Sequence, residues 1–247
     1  MTETKIPYPI QDPAPPRRPY YSGRLAAWGL LVLAALVAGQ VYGFLESPPD
    51  RDMGNLQKIM YVHVPAAWNA FIAFFIVFGA SIAYLWSGRP KHDLIAASAA
   101  EVGALLTALT LALGSIWGRP TWGVWWTWDP RLTSTAVLLV VFVGYLALRA
   151  FTDDYERRAR WSAVVGILGF LNVPVVYLSV RWWRSIHQVQ SSPSTVDTTF
   201  AWGLRLNAIA FLLLLIYFVR ERYRAAAMEH RAETILEERA LRGGTDV

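Results

Sequence analysis

Long apolar stretches alternate with short polar connections along most of the chain. Six of these stretches contain few charged residues, and each is close to the roughly 20 apolar residues that a helix needs to cross a bilayer. The pattern therefore predicts an all-α, polytopic membrane protein with six transmembrane helices. The predicted helices cover residues 25–45, 59–86, 94–117, 132–148, 161–180 and 200–219.

The two ends of the chain differ from the apolar part. Residues 1–23 are polar and rich in proline, which predicts a flexible lead-in. Residues 220–247 are highly charged, and we expect them to continue the last membrane helix as a charged tail. No repeat of fixed period is visible, so residues 1–247 are predicted to form a single integral-membrane domain.

Composition limits the chemistry that the chain can perform. Hydrophobic residues make up 55% of it and the mean hydropathy is +0.31, which is too apolar for an ordinary soluble domain. Cysteine is absent, so disulfides, thiolate metal sites and a thioether bond to this chain are excluded. Any reactive or ligand-binding group must therefore be histidine, carboxylate, arginine or an aromatic side chain.

The distribution of lysine and arginine predicts the orientation. The segment before the first helix, the second and fourth connections and the tail hold 16 of the 23 basic residues, whereas the first, third and fifth connections hold six. Because basic residues are retained on the cytoplasmic side, both termini are predicted to be cytoplasmic and the odd-numbered connections periplasmic. This topology explains the net charge of +5, so nucleic-acid binding is not needed to account for it.

The third connection is unusually rich in tryptophan. Residues 117–134, here called the tryptophan segment, read WGRPTWGVWWTWDPRLTS. An interfacial aromatic belt would scatter tryptophans over both membrane surfaces, whereas here five fall within twelve residues. Glycine and proline among them allow tight folding, so the flat indoles are suited to a large planar ligand such as a tetrapyrrole. If the segment is helical, Trp122, Trp125 and Trp126 share one face.

Two histidines are predicted to lie at the same membrane surface as the tryptophan segment. His63 occurs in KIMYVHVPAAW near the start of the second helix, and His187 occurs in RWWRSIHQ after the fifth. A single histidine there would usually be structural. Two at similar depth, from separate segments, suit the axial ligation of six-coordinate haem iron.

Charged residues next to these groups have more than one interpretation. Asp129, followed by Pro130, is a favoured helix N-cap, and it could also contact a ligand. Arg131 and Arg184 are candidates for pairing with haem propionates, and either could instead extend to lipid headgroups. The candidate cofactor-binding residues are thus His63, His187, Trp117, Trp122, Trp125, Trp126, Trp128, Asp129, Arg131 and Arg184, with the two histidines as iron ligands.

Other classes of membrane protein remain as alternatives. A b-type haem subunit for electron transfer normally has ligands within the helices, and no second histidine pair is predicted on the cytoplasmic side. A solute permease favours ionisable or helix-breaking residues near mid-membrane, for which Pro174 is limited support. A purely structural subunit leaves the clustered tryptophans unexplained.

Three sequence motifs resemble a known family. WGVWWTWDPRLTS resembles the WWD signature of haem-handling proteins of cytochrome c biogenesis. Together with HVPAAW around His63 and WWRSIHQ around His187, it is similar to the cytochrome c maturation protein C family, also called haem exporter protein C. The resemblance extends from about Asn55 through the sixth predicted helix.

The resemblance implies a function, a location and a set of partners. Haem b would be ligated by His63 and His187 and contacted by the tryptophan segment, at the periplasmic face of the bacterial inner membrane. The family implies delivery to a periplasmic haem chaperone, maturation protein E. It also implies association with an ATP-binding-cassette complex, in which maturation protein A is the ATPase and maturation proteins B and D are membrane proteins. The chain alone is not expected to be an enzyme, since the bond-forming nucleophile lies on the chaperone.

Overall fold

The protein is described by a computed structural model that covers residues 23–187 and 196–243. Most of the predicted proline-rich lead-in lies outside these ranges. Within them the chain is helical and contains no strand. The elements are α1 (Gly23–Leu45), a 3₁₀ helix (Asn55–Ile59), α2 (Met60–Ser87), α3 (Pro90–Trp122), α4 (Pro130–Ala150), α5 (Tyr155–Phe170), α6 (Asn172–Trp182) and α7 (Thr198–Gly243).

Six helical segments of the described chain are long and apolar enough to cross a membrane, which confirms the predicted all-α fold with six such segments. They cross the bundle in alternating directions, so α1 begins and α7 finishes at the same end. We call that end the terminal end, and the opposite end, where α2 begins and α6 finishes, the histidine end. The segments are Leu25–Leu45, Asn55–Ser87, Pro90–Trp122, Pro130–Ala150, Tyr155–Trp182 and Thr198–Leu236.

Two of the predicted helices differ from the structure. The third continues to Trp122, five residues beyond the expected end, and stops where Gly123 adopts a left-handed φ of 80°. The fifth is two helices, because the regular helix is interrupted at Leu171, between α5 and α6. Pro174 has no N–H to donate to the carbonyl of Phe170, and the Asn172 side chain donates to the Ser134 carbonyl at 2.8 Å. The predicted helical tail is correct, since α7 continues without a break past residue 219.

Helix α2 is central and packs on α3, α5 and α7. Its closest approach to α3 depends on small residues, since a methyl group at Gly103 would lie 2.7 Å from Cε1 of Phe74. Phe74 stacks on Phe142 of α4 with ring centroids 3.8 Å apart. Close packing of this kind helps helices to associate in lipid. The hydrophobic effect contributes little there, because the lipid tails are as apolar as the side chains.

Two polar pairs link helices inside the bundle. The Gln40 amide donates to Oδ1 of Asn207 at 2.6 Å, which joins α1 to α7. At the terminal end, both guanidinium NH groups of Arg149 donate to the buried carboxylate of Asp93, at 2.5 and 2.9 Å. The outward surface is apolar instead, with Leu30, Phe75 and other large side chains exposed. This arrangement suits a protein surrounded by lipid.

Candidate functional site

A cavity opens among α2, α3, α4 and α6 toward the histidine end. Its empty space is about 850 Å³, a figure that includes the open side. It reaches Leu138, about 12 Å along α4 from Pro130 at 1.5 Å per residue, so it extends well below the surface. The lining comprises His63, Val64, Ala67, Trp68, Ala70, Phe71, Thr107, Thr110, Leu111, Arg131, Leu132, Thr135, Leu138, Val176, Tyr177 and His187.

Helical periodicity determines which side chains line this cavity. On α2 the lining residues His63, Ala67 and Ala70 are spaced at i, i+4 and i+7, so they occupy one face. The same spacing recurs on α4 with Arg131, Thr135 and Leu138. The hydroxyl groups of Thr107 and Thr110 donate to carbonyls of their own helix, and that of Thr135 does the same, so these residues add little free polarity to the wall. The cavity is therefore mainly apolar, with histidine and arginine near its mouth.

His63 lies against the backbone of α3. A methyl group at Gly114 would be 3.1 Å from its Cε1, so the imidazole occupies space left by a missing side chain. The Trp117 indole meets the ring edge to face, with centroids 5.9 Å apart. The Nδ1 atom is buried and makes no hydrogen bond to any residue that the structure describes. His63 is thus held mainly by packing against α3 and Trp117.

His187 lies five residues after the end of α6 and is held by a carboxylate. Its Nδ1 is 3.1 Å from Oδ1 of Asp129. The Trp122 indole covers it from another side, with ring centroids 5.0 Å apart. Burial lowers the pKa of His187 below its ordinary value, although the Asp129 carboxylate acts in the opposite direction. A lowered pKa favours the neutral imidazole, which is the form that binds metals.

Asp129 is the N-cap of α4, as predicted, and its side chain is only 2% exposed. It accepts the backbone N–H of Arg131 at 2.9 Å through Oδ1 and that of Ile186 at 2.9 Å through Oδ2. Burial acts to raise the pKa of Asp129, but hydrogen bonds from Ser185 and Ile186 outweigh it and lower the pKa. The side chain is therefore a carboxylate, and it contacts His187; the cavity is lined by other residues.

Of the basic residues considered from the sequence, Arg131 is the one that lines the cavity. Arg184, the other candidate for pairing with a propionate, is exposed and does not line it. Arg119 donates to the Gly123 carbonyl at 2.6 Å and thereby stabilises the end of α3. Arg131 is accordingly the favoured cation for an anionic group bound there.

The tryptophan segment is divided between a helix and a loop. Trp117 and Trp122 belong to α3, where they contact His63 and His187 respectively. Residues 123–129 are not helical, so the expectation that Trp122, Trp125 and Trp126 share a helical face is wrong. Trp125 is 60% exposed and Trp128 is 82% exposed.

Gly118 has a different role from the tight folding expected of it. A methyl group there would lie 3.0 Å from Cε3 of Trp122, so the missing side chain makes room for the indole that covers His187. None of the five tryptophans lines the cavity. Two of them contact the imidazoles, and the exposed ones lie on the surface of the histidine end.

Trp68, Tyr177 and Gly114 complete the site, although they were not predicted. Trp68 and Tyr177 line the cavity, and Gly114 seats His63. The part of the cavity wall that α2 forms could have been predicted. Helical spacing from His63 is enough to identify the residues on the same face of that helix. Tyr177 and Gly114 gave no comparable signal, since their positions depend on how α6 and α3 pack against α2.

Two imidazoles determine what the cavity can bind. No group of three or more histidine, cysteine or carboxylate side chains is gathered in residues 23–187 and 196–243, so these ranges contain no complete site for a bare metal ion. Two imidazoles in an apolar cavity instead suit a metal whose other ligands come from a bound macrocycle.

Comparison with known proteins yields consistent matches. The family model described as Heme exporter protein C matches residues 11–238. A Heme exporter protein C of Bradyrhizobium diazoefficiens is 38% identical over 199 residues, covering 79% of this chain and 76% of the relative. That of Escherichia coli (strain K12) is 35% identical over 228 residues, covering 90% and 93%. A putative cytochrome c biosynthesis ccmC-like mitochondrial protein of Marchantia polymorpha is 36% identical over 180 residues, covering 71% and 76%.

Proposed function

The chain belongs to the Heme exporter protein C family, and from this membership and the geometry of the cavity we propose that it binds haem b between His63 and His187. The bound haem is presented to a periplasmic haem chaperone, maturation protein E, during c-type cytochrome biogenesis. The observation that carries the proposal is that two histidines from separate elements line one apolar cavity.

The lining of the cavity fits the chemistry of haem. The aliphatic and aromatic walls match an apolar macrocycle, and the Arg131 guanidinium matches a propionate in charge and planar geometry. The His187 imidazole is oriented by Asp129, and His63 has no competing protein hydrogen bond at Nδ1 among the described residues. In His187 the contact with Asp129 uses Nδ1 and leaves Nε2 for axial ligation of haem iron.

The exposed indoles suit presentation of haem to a partner protein. Trp125 and Trp128 lie on the surface of the histidine end, outside the cavity lining, and offer apolar area to an approaching chaperone or to the exposed edge of the macrocycle. The chain supplies binding and orientation, while the nucleophile that forms the covalent bond belongs to the chaperone. We therefore regard the chain as a haem-delivery protein without enzymatic activity of its own.

Location and partners follow from charge and family. The excess of lysine and arginine in segments of the terminal end favours a cytoplasmic terminal end and a periplasmic histidine end. In this proposal the chain is in the bacterial inner membrane and works with the ATPase, maturation protein A, and with the membrane proteins B and D of the same complex. The alternative of a transmembrane electron relay is less well supported. His92 hydrogen-bonds to Ser87 and His230 stacks on Tyr155. Neither of them lines the cavity.

The direct test is the haem content of the purified protein. The wild-type chain, purified in detergent from haem-replete cells, should show the absorption of bound haem. The variants His63→Ala and His187→Ala should each lose most of that haem or show a changed iron ligand field. The matched control is His92→Ala, which removes a histidine from the terminal end and should leave the spectrum unchanged.

Two results would contradict the proposal. A colourless wild-type preparation would remove haem as the ligand. A spectrum identical to wild type in both His63→Ala and His187→Ala would move the iron ligands elsewhere and favour a different class of haem protein.

A further inference from the structure

Asp129 receives more hydrogen bonds than a helix cap requires. Oδ1 accepts the backbone N–H of Arg131 at 2.9 Å and that of Leu132 at 3.4 Å, and it lies 3.1 Å from Nδ1 of His187. Oδ2 accepts the backbone N–H of Ile186 at 2.9 Å. The carboxylate therefore joins the start of α4 to the segment that contains His187.

A second capping aspartate in the same protein provides a comparison. Asp154 caps α5 at the terminal end and accepts one backbone N–H, that of Arg157, at 2.6 Å. It is exposed, whereas the Asp129 side chain is 2% exposed. Capping alone thus explains Asp154 but leaves three contacts of Asp129, with Ser185, Ile186 and His187, without a reason.

The surroundings of Asp129 require acceptors at both oxygen atoms. An asparagine caps helices as well as an aspartate does, but it has one acceptor oxygen and one NH₂ donor. If its oxygen faced Ile186, its NH₂ would face His187 and the N–H of Arg131. If the amide were reversed, the NH₂ would oppose the N–H of Ile186. Only a carboxylate satisfies both sides at once.

The contact with His187 fixes the form of the imidazole. Because a carboxylate only accepts, Nδ1 must carry the proton, and in the neutral imidazole the lone pair is then on Nε2. The Trp122 ring, 5.0 Å away between centroids, restrains rotation of the imidazole from another side. His63 has no such support, since its Nδ1 makes no hydrogen bond to the described residues.

We propose that Asp129 is the positioning residue for His187, because its carboxylate holds Nδ1–H of the imidazole and thereby keeps Nε2 available for haem iron. The inference rests on the proposed function, in which His187 is an axial ligand. In this inference Asp129 does not contact haem directly. It acts on haem binding through His187. Outer-shell acceptors of this kind orient metal-binding histidines and increase their basicity.

The experiment uses the full-length protein in detergent and has one measurement without haem. The variant is Asp129→Asn, which retains a capping residue, and the control is Asp154→Asn. In ¹⁵N-histidine NMR of the haem-free wild-type protein, His187 should be protonated at Nδ1, with its signal assigned by comparison with His187→Gln. In Asp129→Asn the signal should shift toward the Nε2-protonated form or a mixture, while Asp154→Asn should match wild type.

Haem titration provides the second measurement. Asp129→Asn should bind haem about 10- to 100-fold more weakly, the usual effect of removing an outer-shell partner of a metal ligand, whereas Asp154→Asn should bind normally. An unchanged His187 tautomer in both Asp129→Asn and Asp129→Ala, the second of which has no side-chain acceptor, would overturn the inference whatever the haem affinity. Normal haem binding by His187→Ala would instead contradict the proposed function, so the two failures are distinguishable.

Discussion

His63 packs against the backbone of α3 because residue 114 has no side chain. A methyl group there would be 3.1 Å from Cε1 of the imidazole, closer than an ordinary contact. We therefore expect Gly114→Ala to displace the ring. Overpacking of about 1 kcal/mol would weaken haem binding roughly fivefold, measured by haem titration of the purified protein.

The control for this substitution is Gly79→Ala, also in a membrane helix, where an added methyl group would meet nothing within 4 Å. It should bind haem as the wild type does and should be no less stable. If Gly114→Ala also binds haem with wild-type affinity, the position of the His63 ring is not important for the site.

Residue types in the sequence identified candidate groups but could not assign their contacts. His63, His187 and Arg131 were predicted from type and position, and the structure brings all three to one cavity. The sequence left two possible roles for Asp129, helix N-cap and ligand contact. Both roles need a hydrogen-bond acceptor, so the residue type could not distinguish them. The structure shows the cap together with a contact to His187, a residue 58 positions away that no local pattern could connect to it.

Helix α3 must end at the correct residue for Trp122 to reach His187. The end is made by Gly123, whose φ of 80° is the left-handed conformation that glycine adopts without strain. Gly123→Ala should cost about 1 kcal/mol of stability. Because the strained residue adjoins Trp122, haem binding should weaken as well. Thermal unfolding and haem titration of the same preparation measure both effects.

Gly88 is a matched control, since it ends α2 at the terminal end with a φ of 64° and an open surrounding. Gly88→Ala should lose a similar amount of stability and retain wild-type haem affinity. Equal weakening of haem binding in both variants would mean that general destabilisation, rather than the end of α3, controls the site.

Helix boundaries were harder to predict than the helices themselves. Apolar composition stops near residue 117, where Gly118, Arg119 and Pro120 signal a loop, yet the backbone stays helical to Trp122. Pro120 interrupts only one hydrogen bond in the last turn, which is a small cost for a helix of 33 residues. Near Pro174 the error is in the other direction. The apolar composition predicts one continuous helix there, whereas the structure has two, α5 and α6.

The described part of the molecule combines an apolar outward surface with a mainly apolar cavity that opens toward the histidine end. The orientation predicted from basic residues can be tested simply, since the chain has no cysteine. Asp52→Cys lies in the first connection and Asp153→Cys in the fourth, and both positions are exposed. In spheroplasts a membrane-impermeant thiol reagent should label Asp52→Cys, and it should label Asp153→Cys only after lysis. The reverse pattern would put the histidine end in the cytoplasm.

The most direct test of the account is the spin state of ferric haem bound to the purified protein, read by electron paramagnetic resonance. Two imidazole ligands on one iron predict a low-spin, six-coordinate signal in the wild type and in His92→Ala. His63→Ala and His187→Ala should each convert the remaining bound haem to a high-spin form. A high-spin wild type, or a low-spin signal that persists unchanged in both single variants, would contradict the claim that His63 and His187 hold one haem.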